Sequence, residues 1–215
     1  MRTKILIVVA AISAAGLATS LAQSNVYSQN VVGYINVQLT NGFNLVGNQL
    51  DLDGNGTNNT VQSVFGTNLP VNTDVYAFSG GGFVLASYGT KGWSGAANVN
   101  PALQPGRGVF IKLPSASTVT LVGNVMQGGL QTPYVKGFNI IGSQVPQAGT
   151  LQTDLGYAPN VGDDVYRYNP ATKGYVLSSY GAKGWSGGQP NLNVGESVWL
   201  KGATNGTWTR NFTVQ

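Results

Sequence analysis

Ser87-Tyr88-Gly89-Thr90-Lys91-Gly92-Trp93-Ser94-Gly95 returns as Ser179-Tyr180-Gly181-Ala182-Lys183-Gly184-Trp185-Ser186-Gly187. Only Thr90 versus Ala182 separates the two copies. Matching landmarks flank both. Asp74-Val75-Tyr76 precedes the first copy and Asp164-Val165-Tyr166 the second. Further upstream, Gly42-Phe43-Asn44-Leu45-Val46-Gly47 corresponds to Gly137-Phe138-Asn139-Ile140-Ile141-Gly142. Downstream, Val109-Phe110-Ile111-Lys112 corresponds to Val198-Trp199-Leu200-Lys201. Length differences between the copies fall only in Gly-, Asn- and Pro-rich stretches, where loops tolerate insertion. The chain reads as one unit written twice. Two copies are too few for a solenoid or propeller. The expectation is two closely abutting, pseudo-symmetric β units, residues 23–126 and 127–215, each a small sandwich or barrel.

Within a unit the periodicity is that of strands. From Tyr34 to Leu39, Ile35, Val37 and Leu39 alternate with Tyr34, Asn36 and Gln38, the pattern of a strand with one face buried. Thr40-Asn41-Gly42 supplies turn residues before the next strand, Phe43 to Gln49. A short helical turn is expected at Asn59–Gly66, with Asn59 as N-cap and Gly66 as stop, and an equivalent one at Gly149–Gly156. A hairpin then leads into each repeated phrase, and the closing strands are Thr118–Val125 and Thr207–Val214.

The first residues have the makeup of a secretory signal. Arg2 and Lys4 precede an apolar run from Ile5 to Leu17, and small residues at Ser20 and Ala22 suit cleavage after Ala22. The run is short for the ~20 residues of a membrane span, so residues 1–22 are expected to be removed, leaving no transmembrane anchor. Export then places the protein outside the cell, on its surface or in the periplasm. Cys is absent, so stability there must come from packing rather than disulfides. Charged residues make up 8% of the chain, against about 25% in ordinary soluble domains. Arg2 and Lys4 contribute two of the formal net charge of +4, and the other cations are scattered singly. A nucleic-acid partner would need them clustered.

Gly42-Phe43-Asn44-Leu45-Val46-Gly47, then Val75-Tyr76, then Pro105-Gly106-Arg107-Gly108-Val109-Phe110, then the second Gly-Phe-Asn set resembles a duplicated module of uncharacterised exported bacterial proteins. In those proteins a Gly-Trp/Phe-Asn-Leu-Ile stretch alternates with a Pro-Gly-x-Gly-aromatic stretch. The resemblance covers nearly all of the chain beyond the signal. It implies export and β architecture, and it brings no catalytic residue with it.

The chemistry available to the chain is narrow. With no His and no Cys there is no Ser-His-Asp or Cys-His nucleophile system and no ordinary zinc site. Seven carboxylates are present, and a glycan hydrolase needs two of them facing each other. Asp163 and Asp164 are neighbours that a strand would point to opposite faces. No catalytic residue is assigned, and an enzyme is not expected. Asp51-Leu52-Asp53-Gly54-Asn55-Gly56 matches the first half of an EF-hand-type loop, making Asp51, Asp53 and Asn55 candidate Ca²⁺ ligands. Position twelve is Gln62, which lacks the bidentate carboxylate, and a plain Asx-rich turn has the same composition.

The repeated phrase admits two roles. Tyr88, Trp93, Tyr180 and Trp185 either anchor Gly-rich loops to the core or form platforms for a sugar ring, with Lys91 and Lys183 donating hydrogen bonds. Two functions follow. One is a non-catalytic surface, structural or matrix protein that contacts itself or its neighbours through β units. The other is a carbohydrate-binding module for cell-surface or extracellular polysaccharide.

Overall fold

The computed structural model describes residues 31–96 and 103–214. The expected signal, residues 1–22, lies outside the described residues. Described residues of the first half form β1 (Val32–Leu39), β2 (Gly42–Gly47), helix α1 (Val61–Phe65), β3 (Thr73–Ser79), β4 (Gly82–Gly89), β5 (Gly92–Gly95), β6 (Gly108–Leu113) and β7 (Ser117–Asn124). The second half forms β8 (Gly128–Tyr134), β9 (Gly137–Gly142), β10 (Gly149–Thr150), β11 (Asp164–Asn169), β12 (Gly174–Gly181), β13 (Gly184–Ser186), β14 (Asn191–Leu192), β15 (Ser197–Gly202) and β16 (Gly206–Phe212). The protein is mainly β, and among the described residues every ladder is antiparallel.

Both halves have the same strand order. A five-stranded sheet runs β2-β6-β3-β4-β5 in the first and β9-β15-β11-β12-β13 in the second. A two-stranded ribbon accompanies each, β1–β7 and β8–β16. The inner face of each sheet packs on its ribbon, as in a sandwich. In the first half, Val75, Val109 and Ile111 meet Ile35, Leu39, Val119 and Leu121 across the core, and α1 adds Val61, Val64 and Phe65. In the second, Ile141, Val165, Val198 and Leu200 meet Tyr134 and Trp208. The strand alternation seen in sequence is the one observed, with Ile35 and Leu39 buried and Tyr34, Asn36 and Gln38 exposed.

The helical turns differ from expectation. Thr60 is the N-cap of α1, its hydroxyl accepting from the Ser63 amide at 3.0 Å. Asn59 is instead buried and linked through its amide to Asp51 and Gln104. Gly66 does end the helix, with φ 52°. Among the described residues of the second half no helix forms. The Thr150 hydroxyl donates to Asp154 at 2.7 Å, so it does not cap, and Gln189 Oε1 takes the amides of Gln152 and Thr153 from a neighbouring loop. Residues 151–155 turn without propagating a helix: the Asp154 amide bonds the Thr150 carbonyl in helical register, but the Leu155 amide goes to that same carbonyl and the Tyr157 amide to that of Leu151.

Reciprocal contacts join the halves. The Gly47 amide donates to the Gly195 carbonyl at 2.9 Å, and the Gly142 amide to the Gly106 carbonyl at 3.0 Å. Leu45, Phe110 and Ile140 form a shared apolar cluster. Close approach requires glycine here. A Cβ on Gly108 would lie 2.5 Å from the Ser197 Cβ, and one on Gly47 2.8 Å from the Glu196 carbonyl oxygen.

Candidate functional site

The two repeated phrases end up as anchors in the geometry. Each folds as a tight hairpin, β4–β5 and β12–β13, which pairs Tyr88 with Trp93 and Tyr180 with Trp185 across the strands. Gly92 and Gly184 sit in the turns at φ 89° and 92°, a region closed to most side chains. Within each pair the rings are inclined to one another, 46° and 65° apart in plane, rather than coplanar. The Trp93 indole N–H donates to the Gly66 carbonyl at 2.6 Å, pinning the hairpin to the end of α1. The Trp185 N–H donates to Gln152 Oε1 at 2.9 Å, in the turn that replaces the helix. Trp93 packs against the first core and Trp185 against the second. Lys91 and Lys183 are exposed at the hairpin turns.

The Asp51–Gly56 loop closes on itself. Asp51 is buried, and its carboxylate accepts from the Gly56 amide at 2.8 Å and the Asn59 side chain at 2.6 Å. Asp53 accepts from the Asn55 amide at 3.0 Å and from the Thr57 hydroxyl. That hydroxyl, with the Asn55 amide, holds the Asp53 carboxyl below the usual carboxylate range. Asn55 turns its amide nitrogen toward the Asp53 carbonyl. Protein donors thus engage both the Asp51 and the Asp53 carboxylate, the arrangement of an Asx-type turn. Among the described residues no group of three or more His, Cys, Asp or Glu gathers in one place.

The remaining carboxylates are also bound internally. Asp74 and Asp164 open their strands and accept from Ser87 and Ser179, each at 2.6 Å. Asp154 accepts from the Thr150 hydroxyl, which holds it below the ordinary range. Asp163, fully buried, accepts from the Tyr157 hydroxyl at 2.6 Å and from the Asn160 and Ala203 amides at 2.8 Å. Burial, and then Asp163, push the Tyr157 hydroxyl far above the normal tyrosine range. Glu196 pairs with Arg167, Oε1 to Nε at 2.5 Å and Oε2 to Nη2 at 3.0 Å.

What sequence reasoning missed lies on the outer faces of the two large sheets. Phe43, Tyr76, Phe78, Phe83 and Phe110 of the first half join Phe138, Tyr166, Tyr168, Tyr175 and Trp199 of the second in one network of tilted and edge-on rings. At its centre Phe110 meets Trp199 and Tyr168, and Phe78 lies 4.8 Å from Trp199. Toward its margins Phe43, Phe83, Leu85, Phe138, Tyr175 and Leu177 are exposed. The sequence did carry a signal. Val75-Tyr76-Ala77-Phe78 and Val109-Phe110-Ile111 are apolar at both parities, the mark of a strand covered on both faces.

Grooves flank this contact. One, of about 450 Å³, lies between β1–β2 and the β11–β12 hairpin and is lined by Leu45, Arg167, Tyr168 and Glu196. Its counterpart, of about 670 Å³, lies between β8–β9 and the β3–β4 hairpin and is lined by Ala77, Phe78, Ser79, Arg107 and Phe138. No protein-family model, curated protein or solved structure matches this chain.

Proposed function

We propose that the protein is an exported, non-catalytic β protein with a surface, structural or matrix-interaction role, working by contact with itself or its neighbours. One observation carries this reading. The outer sheet faces present Phe43, Phe83, Leu85, Phe138, Tyr175 and Leu177 to solvent around the shared ring network. Apolar groups gathered in one patch in this way mark interaction sites. The carboxylates support the non-catalytic part, since each is engaged by internal donors and no facing pair is free for acid–base work. In the repeated phrases each indole N–H is bonded within the chain, Trp93 to Gly66 and Trp185 to Gln152, which favours the anchoring role over sugar stacking there.

Sedimentation velocity of the chain from Gln23 onward, over a wide concentration range, tests the reading. Reversible association is expected, weakened in a Phe83→Ser, Tyr175→Ser double variant that keeps the parent's thermal stability. A strictly monomeric parent that also fails to be retained on isolated cell envelopes would sink it.

A further inference from the structure

The two grooves occupy equivalent places in the two halves and differ in charge. In the smaller, Arg167 and Glu196 form a bidentate ion pair that fills the opening. At the equivalent places of the larger stand Ala77 and Arg107. The anion has become a cation, and the partner that would oppose it has become a methyl group. Arg107 makes no ion pair among the described residues, where the only two are Arg167–Glu196 and Lys201–Asp164. Its backbone is fixed by bonds to Asn48 and Gln104 and by a bridge to Ile141. Burial lowers the Arg107 pKa, the sign of a charge poorly solvated and not compensated by the protein.

A third groove, of about 430 Å³, meets the larger one at Arg107 and Pro133. It is lined by Thr132 and Gln144, both almost wholly buried, and neither Thr132 Oγ1 nor Gln144 Oε1 has a hydrogen-bond partner among the described residues. These two side chains flank Gly106, next to Arg107. Buried polar atoms normally find partners, so unpaired ones beside an unpaired cation point to something that supplies them.

We propose that the Arg107 cleft binds a carboxylate-bearing polysaccharide, a chain with uronic acid units. The guanidinium fork matches a carboxylate in two parallel hydrogen bonds. Phe78 and Phe138 give one groove apolar walls on which sugar rings stack. The other groove is polar, with Gln104, Gln131, Thr132 and Gln144 among its lining residues, which suits a hydroxyl-bearing chain. Two grooves meeting at one cation fit a chain that runs past it better than a single small anion. This ligand rests on the exported, interacting reading above, yet the two are separable. Self-association without uronate binding removes only the cleft, and uronate binding by a strict monomer removes only self-contact.

Calorimetric titration with oligogalacturonate at low salt tests it, with a neutral maltooligosaccharide of equal length and poly-L-glutamate as comparisons. Saturable binding is expected for oligogalacturonate alone. Arg107→Gln should weaken it about tenfold or more, the scale of a hydrogen bond to a charged group. Ala77→Glu supplies an internal partner to Arg107, re-creating the pairing of the other half with its signs exchanged, and should weaken binding to a similar extent. Circular dichroism melting shows whether each variant is folded. No saturable binding, equal binding of poly-L-glutamate, or unchanged affinity in folded Arg107→Gln overturns the proposal.

Discussion

Gly108→Ala tests the join between the halves. An added Cβ there would lie 2.2 Å from Ser197 Oγ, 2.5 Å from Ser197 Cβ and 2.7 Å from Ile140 Cγ2. Carbon atoms pack at about 3.5–4.0 Å, so the overlap is about 1 Å. Neither neighbour can yield easily. Ser197 opens β15, Ile140 lies within β9, and both are buried. Overpacking of this kind costs about 1–3 kcal/mol, and the lower backbone entropy loss of Ala returns about 0.5–1 kcal/mol of it. A net loss of about 1–2 kcal/mol, with an m-value of about 2 kcal/mol/M, lowers the urea midpoint by about 0.5–1 M. Ser197→Gly removes two of the three colliding atoms, and its hydroxyl has no partner to lose. The double variant should therefore recover most of the loss, giving a coupling of about 1 kcal/mol, within the range for residues in contact. Urea unfolding followed by circular dichroism at neutral pH gives all four corners of the cycle. A Gly108→Ala midpoint equal to the parent's, or strict additivity in the double variant, refutes the close approach of β6 and β15.

Three further outcomes follow from single side chains. Trp208 is fully buried, donates to the Leu155 carbonyl at 2.9 Å and packs edge-on to Tyr157, so Trp208→Ala should cost about 3–5 kcal/mol by thermal or urea unfolding. Tyr157→Phe removes the 2.6 Å donor to buried Asp163 and should cost about 1.5–3 kcal/mol at neutral pH, the scale for a hydrogen bond to a charged group. The same tyrosine has its folded-state pKa raised, so the folded chain keeps a proton that the unfolded chain loses above the ordinary value of 10.0. Stability is expected to be level in this respect below that pH and to fall above it, by about 1.4 kcal/mol per pH unit for one proton, with the slope reduced in Tyr157→Phe. Thr150→Val should raise the Asp154 pKa toward the ordinary carboxylate range, read by NMR titration, because the Thr150 hydroxyl is the main cause of its lowering.

A strand such as β1 was legible because one of its faces is buried and the other is not. Ile35, Val37 and Leu39 announce β1 on their own. The two helical sites were not separable by sequence, since Thr60 and Thr150 are each followed by apolar residues at helical spacing. What separates them is the backbone register that follows: the Val64 and Gly66 amides bond back four residues to Thr60 and Gln62, whereas the Leu155 amide returns to Thr150 and the Tyr157 amide to Leu151, a difference the apolar spacing does not encode. The repeated phrase drew attention as a site because Tyr, Trp and Lys recur in it, although its indoles serve packing. The aromatic outer face was hidden for a different reason. Its residues alternate with core residues in the same strands, so Tyr76 beside Val75 reads as one hydrophobic strand until the second sheet is placed against it.

Comparing the halves position by position separates packing from chemistry. Where equivalent residues agree in kind, a shared contact explains them. Asp74–Ser87 and Asp164–Ser179 make the same bond, and the Gly47 and Gly142 amides make reciprocal ones. Thr132 and Val37 stand at equivalent places facing Gly106 and Gly195, and only the threonine leaves a buried hydroxyl unpaired. Gln49 Oε1 accepts from the Gly195 amide at 2.8 Å, whereas the Gly106 amide goes to the Asn48 carbonyl and leaves Gln144 Oε1 without a donor. Arg107 stands where Glu196 stands, without an opposing charge. All three departures fall around Gly106 and Arg107. Each worsens internal pairing relative to its counterpart, by about 1–3 kcal/mol for a buried polar group left unmatched. Packing alone gives no reason for the three to gather at one cleft, whereas a bound polar chain that completes them does.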